Sequence, residues 1–402
     1  MSSLEERLVQ NGLNYFELQQ INGIASRRMA NVNSDSSSIQ SGHQMTFRLN
    51  CGNAAVYGKN CYLKFNAKSS GENVLSNEGT AFNFIERIDL YSSDGTLLHS
   101  RNSRAGDLAN KLFRYSLSSS EWLSAQGAVG GGGIAYNGED GVNVVLPMSF
   151  LHGCFSTDTL LPPGSCDGAR LVVTTASSDS TDVGVVTFTE MSLMVDEALL
   201  SNEVEMAVKS MNASSTGVRI QFDCWRHFPQ SLSASASTTG VQQINTVANQ
   251  LVRAMSSARL TTAKDGTTLK GLSKLNYRVG NQYFPWTPSS SKAEEWLLTQ
   301  QAFQTAPCAL SGGQNLDTIV KGSIPYTGSY NSDTSQPVFA MDLSKSPVGL
   351  DLAGIALRNG NQLEFNYTVT PGTVDPSACV IDTFVCNKIL AIFHNKNVIV
   401  NI

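Results

Sequence analysis

Short runs in which apolar and polar residues alternate dominate this chain of 402 residues. Met45–Leu49 and Cys61–Phe65 alternate in this way, and Ile85–Tyr91 does so in part. Successive side chains of a β-strand point to opposite faces, so this period is typical of strands that bury one face. Clusters of Gly, Asn, Asp and Ser separate the runs. The pattern predicts an all-β chain whose strands are joined by turns.

One turn predicts a specific hairpin. Asp94-Gly95 lies between the run that ends at Tyr91 and the run Thr96–Ser100. An Asp-Gly pair supplies the positive φ that a tight hairpin turn needs. We therefore expect these two runs to pair as antiparallel neighbours.

Helical signals are few. An apolar stripe predicts a helix over Asp107–Tyr115, and Ser118–Glu121 and Ser291–Glu294 have the spacing of capping boxes. Apolar residues three to four positions apart predict a further amphipathic helix over Val241–Ser257. The apolar residues of Leu4–Leu18 also predict a short amphipathic helix. Because isolated helices this short are marginal in water, it should dock on a neighbouring subunit, its own domain or a membrane surface.

The order of the runs repeats at an offset of about 190 residues. The repeated pairs are Ile85–Tyr91 with Leu272–Tyr283, Val144–Phe150 with Pro337–Leu343, and Arg170–Val173 with Gln362–Phe365. Chance similarity between short β-runs is the alternative, but the constant order and spacing favour a duplication. We predict two tandem eight-stranded antiparallel jelly-roll β-sandwiches with a few short inserted helices. The predicted domains are an N-terminal arm over residues 1–40, jelly roll 1 over residues 41–205 and jelly roll 2 over residues 206–402.

Composition excludes several classes of protein. The 28 Lys and Arg residues against 33 Asp and Glu give a net charge of −5, and no basic run occurs, so direct coating of nucleic acid is not expected. Only 15% of residues are charged, which predicts an uncharged polar surface. No apolar stretch is long enough for a cleaved signal or a membrane span, so neither is expected.

Catalytic motifs are absent from the sequence, and we predict no enzyme, no cofactor and no metal site. His152 beside Cys154 is the nearest candidate site, but packed residues at a strand end are the favoured interpretation. Gly130–Gly133 could hold an anion, yet a surface loop is favoured because no basic residue is close in sequence. The eight cysteines should be mostly reduced and buried, with a Cys51–Cys61 pair left open.

Three further segments have a binding interpretation and a structural one. Tyr283–Trp286 could be an aromatic platform for a sugar or base, although filling of core or interdomain space is favoured. Arg27-Arg28 could contact nucleic acid or lipid, although a solvated or intersubunit pair is favoured. Asn212 and Asn366 lie in Asn-x-Ser/Thr contexts, which leaves glycosylation open.

Four passages resemble the major capsid proteins of the double jelly-roll lineage of icosahedral DNA viruses, most closely the polinton-like and virophage-like group. They are Asn14–Phe16 with Ser38–Leu49, Phe84–Gly95, Val145–Leu151 with Leu160–Pro163, and Lys388–Val400. The resemblance implies a homotrimer whose six jelly rolls form a pseudo-hexameric capsomer of the virion shell. It also implies neighbouring capsomers, penton and minor capsid proteins as partners, and it allows contact of the N-terminal segment with an internal membrane.

Other functions remain open on the sequence. A carbohydrate-binding or adhesion protein could use the same sandwiches, and Tyr283–Trp286 motivates that alternative. An enzyme of unknown class has no motif to support it. A single jelly-roll coat of an RNA virus would be expected to carry an Arg-rich arm, which the sequence lacks.

Overall fold

The computed structural model describes residues 23–70, 80–116, 125, 128–130, 140–157, 159–177, 185–214, 217–232, 239–260, 272–303, 338–344, 354–357, 362–369, 379–394 and 397–401. The described residues of the first half form ten strands: β1 (Ile24–Asn33), β2 (Ser38–Gln40), β3 (Gln44–Arg48), β4 (Ala55–Val56), β5 (Tyr62–Ser69), β6 (Ile85–Tyr91), β7 (Leu97–Arg101), β8 (Val142–Pro147), β9 (Arg170–Thr175) and β10 (Val186–Leu200). Among the described residues of this half are the helix α1 (Ala105–Ser116) and the single turn α2 (Met148–Leu151).

Helix α3 (Asn202–Ala213) leads into the second half. The strands of this half are β11 (Val218–Ser231), β12 (Thr239–Ile244), β13 (Ala248–Leu260), β14 (Leu272–Val279), β15 (Gln282–Phe284), β16 (Phe339–Asp342), β17 (Ile355–Leu357), β18 (Leu363–Val369), β19 (Cys379–His394) and β20 (Asn397–Asn401). Helix α4 (Lys292–Ala302) follows β15.

The two halves have the same topology. In the first half the sheet orders are β1-β10-β5-β8 and β3-β9-β6-β7, with β2 and β4 added beside β10. In the second they are β11-β19-β13-β16 and β12-β18-β14-β15, with β17 beside β13 and β20 beside β19. Without the added strands β2, β4, β17 and β20, each half has eight described strands. When these eight are numbered from 1 to 8 along the chain, both halves give the sheet orders 1-8-3-6 and 2-7-4-5. Two facing antiparallel sheets of this order form a jelly roll, so the prediction of tandem jelly rolls is confirmed.

The duplication predicted from the sequence is confirmed strand by strand. The three repeated pairs fall on equivalent strands, namely β6 with β14, β8 with β16 and β9 with β18. The inserted helices α1 and α4 also follow equivalent strands, β7 and β15.

Local signals explain several elements. Ser92 N donates to Thr96 O at 2.9 Å and Gly95 has a φ of 86°, which confirms the hairpin between β6 and β7. At the start of α4, Ser291 Oγ accepts from Glu294 N at 3.2 Å, and Glu294 Oε2 accepts from the backbone N of the residue before the cap at 2.7 Å. Helix α1 confirms the predicted stripe, whereas Ser118–Glu121 lies outside the described residues.

The helix predicted over Val241–Ser257 is wrong, because this segment forms β12 and β13. Both faces of β13 are covered. Leu251 and Ala254 belong to the core of the second jelly roll, whereas Val252 and Met255 belong to a cluster shared with α1. A strand buried on both faces carries apolar residues without strict alternation, so helical spacing can arise without a helix.

The predicted arm also needs correction. Within residues 1–40, both β1 and β2 pair with β10 and are therefore part of the first jelly roll. Residues 1–22, including the predicted helix Leu4–Leu18, lie outside the described residues. The division predicted between residues 205 and 206 falls within α3, which connects the last strand of one jelly roll to the first strand of the next.

Candidate functional site

The two jelly rolls meet along an apolar contact, called here the seam. Ile220, Phe222 and Cys224 of β11 belong to the same buried cluster as the core of the first jelly roll. A second cluster joins α1 to β11, β13 and β19, and it includes Leu108, Leu112, Tyr115, Trp225, Met255 and Phe384. Because apolar side chains of both halves are removed from water together, the seam holds the two jelly rolls as one block.

Gly153 allows the backbones of the two jelly rolls to approach each other closely at the seam. It lies in a single 3-10 turn, Gly153–Phe155, that faces β11 of the other jelly roll. A Cβ atom at this position would lie 2.0 Å from the carbonyl oxygen of Asp223 and 3.1 Å from the ring of Phe222. A separation of 2.0 Å is far below van der Waals contact, so the backbones can approach this closely only with glycine.

A pair of histidines is buried beside the seam. His99 of β7 and His152, which follows α2, are 4% and 0% exposed. His99 Nδ1 lies 2.8 Å from His152 Nε2, and the ring of Phe222 from the second half lies 5.5 Å from the ring of His99. Burial lowers the pKa of His152 to about 3 and lowers the pKa of His99 well below its ordinary value. Both imidazoles are therefore neutral near pH 7, and one donates its proton to the other.

Charged and polar groups also connect the two halves. Asp382 of β19 is fully buried and lies 2.8 Å from Nε2 of His227 in β11. His227 Nδ1 lies 3.2 Å from Ser103 Oγ of the first half, and Arg104 Nε lies 4.0 Å from Asp382 Oδ2. Arg104 also donates to Asp107 of α1 at 3.2 Å. This chain of contacts fixes the start of α1 against β11 and β19.

Two cavities open along the seam. The larger has a volume of about 830 Å³ and is lined by residues of β7 and β11, including His99, His227 and Arg226. The smaller has a volume of about 490 Å³ and is lined in part by Arg101 and Arg253. Both volumes lie in the range of small-molecule sites.

His152 and Cys154 are both buried, as the packing interpretation expects. Seven described cysteines are buried free thiols, so Cys51 and Cys61 do not pair, and Cys308 lies outside the described residues. Burial raises the pKa of Cys61 to about 12 and that of Cys166 to about 11. Thiols with such pKa values stay protonated and are poor nucleophiles.

Arg27 and Arg28 pair with acids of their own chain. Arg27 Nε donates to Asp196 at 2.7 Å, and Arg28 Nε donates to Glu197 at 2.7 Å. The hydrogen bond from Arg27 is the main cause that lowers the pKa of Asp196. Both arginine side chains stay more than half exposed, as a solvated pair should. The sequence did not reveal the acids, because each lies 169 residues away in the chain.

The packing predicted for the aromatic segment Tyr283–Trp286 holds for Phe284 but not for Trp286. Trp286 is 76% exposed and Tyr283 is 39% exposed, so the prediction that Trp286 fills core or interdomain space is wrong. Phe284 does pack against the core of the second jelly roll. Arg278 lies over the ring of Tyr283, 5.7 Å from its centroid.

The other predicted candidates lead to no site. Most of Gly130–Gly133 lies outside the described residues. Asn366 lies in β18, where its side chain donates to Asn276 at 3.0 Å, and Asn212 lies in the last turn of α3. Within the described ranges, no group of three His, Cys, Asp or Glu side chains could hold a metal ion. No helix in that part of the chain is both long enough and apolar enough to cross a membrane.

No protein-family model and no curated protein matches the chain. Among solved structures, VP54 of PBCV-1, from a crystal structure fitted into a cryo-EM reconstruction of the virophage Sputnik, matches with a TM-score of 0.58 and 10% identity. The match covers 94% of this chain and 97% of that chain, so it includes both halves together. The chain has the double jelly-roll fold.

Two virophage structures match this double jelly-roll chain over a similar length. The mavirus major capsid protein has a TM-score of 0.53 at 11% identity, with 96% of this chain and 92% of that chain covered. A chain of the Sputnik virophage has a TM-score of 0.53 at 9% identity, with 95% and 89% covered. At such identities the likeness concerns the fold alone.

The double jelly-roll chain also exposes several apolar side chains. Helix α3 has no buried residue among those described, and its Met206 and Met211 are 72% and 55% exposed. Ile24 and Met29 of β1 are also nearly half exposed. Exposed apolar side chains that group on one surface often contact another protein.

Proposed function

We propose that the chain is a major capsid protein, a structural subunit that trimerises into a pseudo-hexameric capsomer and tiles an icosahedral virion shell. The observation that carries the proposal is the pair of jelly rolls with identical strand order, which the mavirus major capsid protein matches over 96% of this chain and VP54 of PBCV-1 over 94%. Three copies of a chain with two equivalent jelly rolls supply six similar units, which suit a hexagonal tile.

The seam supports this role physically. A shell subunit must keep its two jelly rolls in fixed positions, because a movable joint would spoil contacts with its neighbours on every side. Shared apolar clusters and the buried contacts of Asp382 provide that rigidity here. Met206 and Met211 offer apolar surface for contact with another subunit.

The proposed protein acts by assembly and not by catalysis. Its partners are copies of itself, neighbouring capsomers, and penton and minor capsid proteins, and an internal membrane is a further partner for the N-terminal segment. It resides in the virion after assembly inside the host cell and makes no sequence-specific contact with nucleic acid. The raised pKa values of the buried thiols support a role without a cysteine nucleophile.

Mass photometry of the purified chain tests the proposed assembly. The expected particle contains three copies of the 43.2 kDa chain and has a mass of about 130 kDa. An obligate oligomer of this kind buries more than about 2,000 Å² per interface, so dilution to nanomolar concentration should not dissociate it. A monomer at micromolar concentration would contradict the proposal.

The exposure of Trp286 favours a second candidate, a carbohydrate-binding or adhesion role. Exposed aromatic rings can stack on the apolar faces of sugars. If this role is correct, a glycan array should show binding that Trp286→Ala abolishes without a change in unfolding temperature. Binding that is absent, or equal in the variant and the wild type, would dismiss it.

A further inference from the structure

Arg101 is a buried cation with few partners. It lies in β7, is 2% exposed, and donates one guanidinium hydrogen bond to the carbonyl oxygen of Phe150. Its Nε atom has no hydrogen-bond partner among the described residues. Burial lowers the pKa of Arg101 to about 10, which shows that its surroundings stabilise the charge poorly. A buried charge without an opposite charge is costly, so an anion beside it would be strongly favoured.

No carboxylate in the described part of the chain lies within ion-pair distance of Arg101. The carboxylate of Asp223 raises the pKa of Arg101 by its charge, but it pairs at 2.8 Å with Lys388. Lys388 therefore already compensates the nearest negative charge, and the guanidinium of Arg101 is left without a full counter-charge.

Arg101 is one of the residues that line the smaller cavity on the seam, whose volume is about 490 Å³. Two more basic residues, Lys59 and Arg253, line the same cavity, together with the acidic residue Asp223. The lining thus carries three positive charges against one negative charge. The rest of the wall combines uncharged polar residues, among them Asn60, Ser116 and Ser149, with apolar residues of both halves, among them Leu112, Phe150, Trp225 and Phe303.

We propose that this cavity binds a small oxyanion, a carboxylate or phosphate group, on Arg101 with Arg253 and Lys59 beside it. The planar guanidinium group matches the two oxygens of such an anion, and hydrogen bonds between charged partners are stronger in a partly buried site. The aromatic wall provides space for an apolar body attached to the anion. The bound anion contacts residues of both jelly rolls, so it stabilises the seam.

Binding is measured on the full-length chain, by calorimetry and by the unfolding temperature, with inorganic phosphate and with benzoate as probes. Sodium chloride at equal ionic strength is the reference, because general screening affects any charged surface. Saturable binding with a rise in unfolding temperature is expected for at least one probe, and a larger effect of benzoate would indicate use of the aromatic wall. The absence of saturable binding of both probes would overturn the proposal.

Variants locate the site. Arg253→Gln should weaken binding at least tenfold, and Arg101→Met should abolish it. Arg48→Gln removes the same charge at an exposed position outside the cavity and should bind as the wild type does. Undiminished affinity in Arg253→Gln and Arg101→Met would overturn the proposal, and Arg253→Gln decides it alone if Arg101→Met fails to fold. Binding does not depend on assembly, so this result is independent of the proposed capsid role.

Discussion

Replacing Gly153 by alanine is expected to destabilise the folded chain by about 3 kcal/mol, because the added methyl group overpacks the seam. The new Cβ atom would lie 2.0 Å from the carbonyl oxygen of Asp223. That oxygen belongs to the backbone of β11, which pairs with β19 from Val218 to Ser231. A strand held along its whole length cannot shift locally, so the two jelly rolls must move apart and expose apolar surface.

Chemical unfolding of both the variant and the wild type measures this effect. Gly52→Ala is the matched control, because nothing lies within 4 Å of its added Cβ although Gly52 has a φ of 54°. Backbone strain should therefore lower the free energy of unfolding of the control variant by only about 1 kcal/mol. An equal decrease in the free energy of unfolding in the two variants would mean that the close backbone approach at Gly153 does not determine the stability of the seam.

Acidification from about pH 7 to about pH 5 is expected to weaken the fold by roughly 4 kcal/mol through His99 and His152. Burial holds the pKa values of both imidazoles far below the ordinary value, and the cations Arg101 and Arg226 lower that of His99 further. The unfolded chain then binds protons near pH 6 that the folded chain cannot accept. The stability that the neutral pair contributes is therefore fully present at pH values above the histidine pKa of the unfolded chain. It is lost as the pH falls below that pKa.

Urea unfolding at a series of pH values measures how the free energy of unfolding changes with pH. His152→Gln removes one of the two groups and should reduce the pH-dependent loss by about half. His43→Gln changes an exposed histidine away from the pair and should leave the loss as in the wild type. If the free energy of unfolding changes with pH by the same amount in the wild type and in His152→Gln, the buried pair does not cause the loss of stability in acid.

Features set by neighbouring residues could be predicted from the sequence. The Asp94-Gly95 turn, the stripe of α1 and the Ser291 cap act within a few residues, and the structure contains all three. The repeat was also visible, because equivalent strands keep similar patterns in the same order. The arm boundary was wrong because β1 pairs with β10, whose residues lie far along the chain.

The candidate site depends on contacts between residues distant in sequence and could not be predicted. His99 and His152 are 53 residues apart, and Asp382 lies 155 residues from His227. Neither pair forms a local motif, so only the folded chain brings them together. The exposure of Trp286 was missed because an aromatic residue favours burial on average, whereas Trp286 lies in the bend that follows β15 and is 76% exposed.

Cryo-electron microscopy of the purified chain tests the central claim most directly. The account predicts particles with a hexagonal outline and threefold symmetry, in which three copies contribute six jelly rolls of similar size. Particles with one or two copies, or a map in which the two halves do not superpose, would contradict it.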